Sequence, residues 1–250
     1  MGARGTSMQR LRLPLLLLAA CALGGCASLP NGKADPRDPF ERFNRSVYHF
    51  NTAVDKAVIR PLAVGYVKVT PAPVRTGLSN FFSNLAYPGT IVNELLQGKV
   101  RDSGRDTFRL VFNTVWGLGF FDPASSAGFE KHSEDFGLTF GHWGMHPGPY
   151  LMLPVLGPSS IRDGIGLIPD SYTNARVYLL RNFWGETATW AVDALGERAE
   201  LLDQEQILKQ TFDQYAFVRN AYLQHREYRI HGENAAPDDD TPALPDAPPP

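Results

Sequence analysis

Beyond Cys26 the chain has no cysteine; the only other one among its 250 residues is Cys21. A body starting at residue 27 therefore forms no disulfide, offers no thiolate to a metal and has no cysteine nucleophile. No apolar run of eighteen residues occurs after residue 25, so no transmembrane helix is predicted there. Internal repeats are missing, as is any Gly-rich phosphate cradle with its lysine. Neither sign of charge dominates: 24 Lys and Arg face 26 Asp and Glu, a formal net charge of −2. That balance argues against a nucleic-acid partner and against electrostatic attraction to anionic lipid. A nucleophile elbow is approached once, at Gly157-Pro158-Ser159-Ser160-Ile161, but the closing glycine is absent and no convincing strand precedes it. His132, Glu134, Asp135, His142 and His146 crowd one stretch without a ligand spacing that fixes them together, and they read as solvated loop side chains. Glu134, Asp135 and Asp163 could supply a carboxylate pair for acid/base work, yet spacing gives no distance between them. No metal, no cofactor and no enzymatic activity are expected.

What is present begins at the N-terminus. Arg4, Arg10 and Arg12 precede an apolar run from Leu13 to Leu23, followed by Gly24-Gly25-Cys26. A basic start, a short apolar stretch and small residues at the cut form a secretory signal over residues 1–25. A Cys immediately after the small pair is the lipobox pattern of bacterial lipoproteins, so Cys26 is expected to carry diacylglycerol and an acylated amino group. An ordinary signal with a chance Cys is the plainer alternative. Each buried acyl CH₂ contributes about 0.8 kcal/mol, so two or three palmitate-like chains hold a protein stably on a membrane. Ala27, not Asp, follows, which resembles the sorting signal for the outer membrane in Gram-negative lipoproteins. Removing the signal leaves 225 residues with a formal charge of −5.

Residues 26–37 read as a lipidated tether and 38–232 as one domain. Asp38, Pro39 and Glu41 suggest a capping box, after which Phe40, Phe43, Val47, Phe50, Val54 and Val58 recur at helical steps until Pro61. Thr70-Pro71-Ala72-Pro73 opens a second helix closed by Pro88-Gly89, and Ile91 to Leu96 form a third, stopped by Gly98. A fourth runs from Val100 to Gly117. Gly and Pro then punctuate residues 117–169 so densely that no helical period survives beyond two turns. Helices return at Arg176–Trp184, Thr187–Leu202 and Gln204–Ile230. Residues 233–250, acidic and Pro-rich, read as a disordered tail. The fold class is mostly α: a bundle of short amphipathic helices around a Gly/Pro-rich irregular central segment. Short, Phe-rich helices suit a body lying partly in a bilayer, and burial in an ordinary core is the other reading. An apolar but irregular backbone in lipid must be buried in protein or line a wet cavity, which argues for a pore or groove.

Over nearly the whole stretch after the tether, the chain resembles the VacJ/MlaA family of outer-membrane lipoproteins. The resemblance rests on Asp38-Pro39-Phe40-Glu41, Asn44-Arg45, Arg75 to Phe81, Asn93 to Gly98, Asp135 to Gly141, Gly148 to Pro154, Gly157-Pro158-Ser159, Arg162-Asp163 and Asp213 to Tyr215. Departures are local: the family usually has Pro where Gln214 stands and an Ile-Asp pair where Gly196-Glu197 stands. The resemblance implies a ring-like helical body lying in the outer membrane, facing the periplasm. Its implied work is to remove phospholipid misplaced in the outer leaflet and pass it to a soluble periplasmic carrier, so maintaining lipid asymmetry. It also implies association with trimeric porins and no catalytic residues. Thr139, His142, Tyr150, Arg162 and Asp163 are the candidate lining of an amphipathic passage. A lipoprotein phospholipase and a porin-bound scaffold without a passage are the rival readings.

Overall fold

The computed structural model describes residues 35–179 and 183–232. The signal, Cys26, the tether up to residue 34 and the Pro-rich tail lie outside the described residues. The apolar period after Phe40 produces helix α1, Glu41–Val54. Pro61 does not end it. The chain makes one π turn, Asp55–Ile59, and continues as α2, Arg60–Val69. In that turn the Arg60 N–H reaches the Asp55 carbonyl five residues back. Widening the ladder by one residue accommodates a proline that has no N–H of its own. The Asp38–Glu41 capping box is likewise not formed: α1 starts without a side-chain cap. The Asp38 carboxylate instead turns inward to Asn44, Tyr215 and Arg219, because a buried cation outbids an exposed helix end for it.

Helix α3, Ala72–Leu96, begins at Pro71 as expected but runs straight through Pro88, fusing two expected helices. The proline removes a donor, and nearby the Leu85 carbonyl accepts the Ala175 N–H at 3.0 Å. Gly89 allows this approach: a Cβ there would stand 3.1 Å from the Thr173 hydroxyl. Gly98, at φ +77°, closes α3 in the left-handed conformation, and α4 follows over Val100–Val115. Two short helices, α5 (Pro123–Ser126) and α6 (Phe136–His142), are N-capped by the carboxylates of Asp122 and Asp135.

The central segment is more regular than its glycines and prolines suggest. Strands β1 (Tyr150–Leu153) and β2 (Gly157–Ser160) pair antiparallel, Tyr150 opposite Ser160 and Leu153 opposite Gly157. Ser160 then caps α7, Ile161–Thr173, which crosses Pro169. Asn51 of α1 clamps the hairpin tip, donating to the Leu153 carbonyl at 2.9 Å and accepting the Val155 N–H at 2.8 Å. After α8 (Arg176–Leu179) and α9 (Phe183–Glu200), the expected last helix proves to be two, α10 (Glu205–Gln210) and α11 (Gln214–His231). Asp213 starts the second by accepting the Ala216 N–H at 3.1 Å. Gln214 thus holds the first helical position, where a proline is equally at home.

The fold is mostly α with one two-stranded sheet. Packing passes from α1 to β1, to β2, to α7, to α3, to α9, to α2 and through the π turn back to α1, a closed circuit. A buried apolar cluster of Val47, Tyr150, Met152 and Tyr215 joins α1, β1 and α11. No helix among the described residues is long and apolar enough to cross a membrane.

Candidate functional site

Helix α4 is inverted. Its buried face carries Ser103, Asp106, Arg109 and Asn113, while Val100, Phe108, Val111 and Val115 are exposed. The same polarity extends along the chain. Phe40 just ahead of α1, Phe50 on α1, Leu62 on α2, Trp116, Leu118 and Phe121 after α4, Val155 and Leu156 at the hairpin tip, and Ile165 and Ile168 on α7 are all exposed. Among the described residues, seventeen polar or charged side chains are buried against ten apolar ones. Water would favour the reverse, so this surface suits contact with acyl chains.

Buried polar groups cost free energy unless bonded, and here they form struts between elements. Arg109 donates to the Tyr87 hydroxyl at 2.8 Å and pairs with Asp122 at 2.9 Å, joining α3, α4 and the start of α5. Arg219 of α11 holds Asp38 at 3.2 Å and Asp35 at 3.0 Å, while Asn44 bonds Asp38, the Tyr150 carbonyl and the Met152 N–H. A third strut centres on Asp163. It accepts from Arg226 at 2.8 Å, from the Tyr222 hydroxyl at 2.6 Å and from Arg162 at 3.1 Å. Burial alone would raise its pKa, but Arg226, Tyr222 and Arg162 together hold it below the ordinary carboxylate value. Helices α6 and α7 meet at glycines: a Cβ on Gly137 would lie 2.4 Å from Asp163 Oδ1, and one on Gly166 would lie 2.6 Å from the Gly137 nitrogen.

The five candidate lining residues occupy different settings. Thr139 has no exposed surface; it donates to Asn93 at 2.6 Å and accepts from Gln97 at 3.0 Å. Tyr150 is equally enclosed, its ring edge-on to Tyr215 and Tyr222 and its hydroxyl unpartnered. Arg162 and Asp163 are buried in the strut just described. His142, at the end of α6, is exposed. The structure brings Arg162 and Asp163 together. The elbow serines are buried in local bonds, Ser160 capping α7 and Ser159 donating to the Ser160 carbonyl.

Sequence reading missed Arg109 and Arg219, because a charged residue on a helix is ordinarily placed in solvent. The signal was nonetheless there: Ser103, Asp106, Arg109 and Asn113 share one helical face. It also placed His132 in solvent. That ring lies 3.2 Å from Asp106 and 3.8 Å from Glu94, both fully buried carboxylates. Burial, with Asp106 beside it, pushes the Glu94 pKa up. Two small hollows open between the helices: a polar one beside Arg109 and Asp122, and one of mixed lining between Tyr66, Phe82 and Glu197. Neither is large enough to enclose a drug-sized ligand.

Comparison with known proteins agrees with these features. The family model described as MlaA lipoprotein matches residues 36–229. The intermembrane phospholipid transport system lipoprotein MlaA of Escherichia coli K12 is 36% identical over 234 residues, covering 91% of this chain and 92% of that protein. Its namesake in Haemophilus influenzae is 32% identical over 226 residues, covering 86% and 88%. A solved structure from work on the "structural basis for maintenance of bacterial outer membrane lipid asymmetry" superposes with a TM-score of 0.70 at 36% identity, covering 77% of this chain and 98% of the other.

Proposed function

Because this chain belongs to the MlaA lipoprotein family, we propose that it is an outer-membrane lipoprotein that takes mislocalised phospholipid out of the outer leaflet and so maintains lipid asymmetry. Cys26 carries the acyl anchor, and Ala27 directs the protein to the outer membrane facing the periplasm. The closed circuit of packed elements frames an amphipathic passage, a route that spares a charged headgroup the cost of crossing hydrocarbon. In this reading Thr139, His142, Tyr150, Arg162 and Asp163 line the passage; His142 is the exposed one, and the other four are buried. A soluble periplasmic carrier receives the lipid, and the protein associates with trimeric porins. The chain acts by moving intact lipid, not by hydrolysis.

The observation that carries this reading is the inversion of α4, polar face inward and apolar face outward. Purified protein in vesicles containing labelled phospholipid, mixed with an acceptor carrier, separates transport from hydrolysis. Intact label is expected on the acceptor; released fatty acid would replace the transporter by a phospholipase, and label that never leaves the vesicle would leave only a scaffold.

A further inference from the structure

Glu94 of α3 and Asp106 of α4 are 1% and 0% exposed, and each has one carboxylate oxygen, Oε2 and Oδ1, with no hydrogen-bond partner. Two buried carboxylates side by side repel each other, and each unpaired oxygen adds a desolvation cost. Among the described residues their shared ion-pair partner is His132, from the loop ahead of α6. The neighbouring Lys99 is engaged by Glu134 at 3.0 Å. One ligand atom from each of Glu94, Asp106 and His132 lies within 4.8 Å of the other two. His132 Nδ1 is 3.2 Å from Asp106 Oδ2 and 3.8 Å from Glu94 Oε1. Ligand atoms about 2.0–2.2 Å from a tetrahedral zinc stand roughly 3.3–3.5 Å apart, so both separations bracket that edge. One imidazole nitrogen with two carboxylates suits a zinc-class ion better than calcium or magnesium, which favour oxygen alone. The imidazole is partly exposed and opens a way in from solvent.

We propose that Glu94, Asp106 and His132 bind one divalent transition ion of the zinc class, stapling the α3–α4 pair to the loop that leads into α6. The ion neutralises both carboxylates, which are otherwise left with unpartnered oxygens. It is a structural centre, remote in role from any chemistry on lipid. The loop it pins also carries Glu134, which bonds Gln97, Lys99 and Arg229. The centre therefore ties α11 indirectly to α3 and α4.

The test uses the untagged full chain in detergent, stripped with chelator and titrated with zinc chloride. One zinc per chain is expected, with the unfolding midpoint raised by about 5–10 °C at zinc 100-fold above its Kd. His132→Ala and Asp106→Asn should each weaken binding at least tenfold while circular dichroism stays native. Should Asp106→Asn not fold, cobalt(II) absorption on the unaltered protein decides: d–d bands that zinc competes away support the site. Failure of the chain to take up zinc, cobalt bands that zinc does not displace, or natively folded His132→Ala binding zinc undiminished would each overturn it.

Discussion

Asp170 shows at the scale of a residue how the buried polar interior makes stability depend on pH. Burial raises its pKa to about 6, Asp135 and Asp163 adding to the rise, although the Phe136 N–H donates to it at 3.0 Å. A carboxyl whose folded pKa lies above the unfolded value of 3.8 stabilises fully below that value, and the contribution is lost as pH rises through about 6. Asp170→Asn, which keeps the acceptor and removes the charge, should therefore stabilise the protein at pH 8, by on the order of 1–3 kcal/mol, and change little at pH 4. Urea denaturation at the two pH values checks this; equal gains at both would refute the assignment. Gly137 is the opposite case, a position where nothing may be added. Gly137→Ala would push a methyl onto Asp163 and Arg226, and should cost about 1–3 kcal/mol by the same measurement.

Among the elements, the β1–β2 hairpin carries the plainest strain. Val155 sits at φ +68°, where a β-branched side chain is disfavoured, and Asn51 holds it there through the Val155 N–H. Val155→Gly should raise the unfolding midpoint by the equivalent of about 1 kcal/mol. Asn51→Ala should lower it, since it strands the Leu153 carbonyl and the Val155 amide. If the exposed Val155 and Leu156 enter the membrane, the glycine variant also binds vesicles less well while being more stable, a split that liposome flotation resolves. Helix α1 with α2 shows why proline is an unreliable stop signal. Pro61 and Pro88 both lie within continuous helical stretches, the first absorbed by a π turn and the second accompanied by a bond from the Ala175 N–H to the nearby Leu85 carbonyl. Neither feature is visible in the residues flanking the proline.

For the whole molecule, the inverted polarity predicts immersion. Trp116 and Trp143 are 68% and 58% exposed. In vesicles their fluorescence should be quenched by lipids brominated along the acyl chain. Fluorescence unchanged from that in unbrominated vesicles would mean that the acyl tether is the protein's sole tie to the membrane. The circuit of elements is closed partly by ions: Arg198 of α9 reaches Asp55 of the π turn at 2.7 Å and Glu205 at 2.6 Å, and Arg60 of α2 also takes Glu205. These pairs are partly solvated, so each is worth little alone and their value lies in fixing which elements meet.

The residues alone determined the helical period, the left-handed stop at Gly98 and the lipobox at Cys26, because each depends on neighbours within a few positions. Tertiary structure alone decided which face of each helix points inward. Periodicity is blind to that sign: a stripe of Phe and Val looks the same whether it meets a core or a lipid. It also decided that His132 joins Glu94 and Asp106, residues 38 and 26 positions away, since only the packing of α4 on α3 and the path of the following loop bring them into reach.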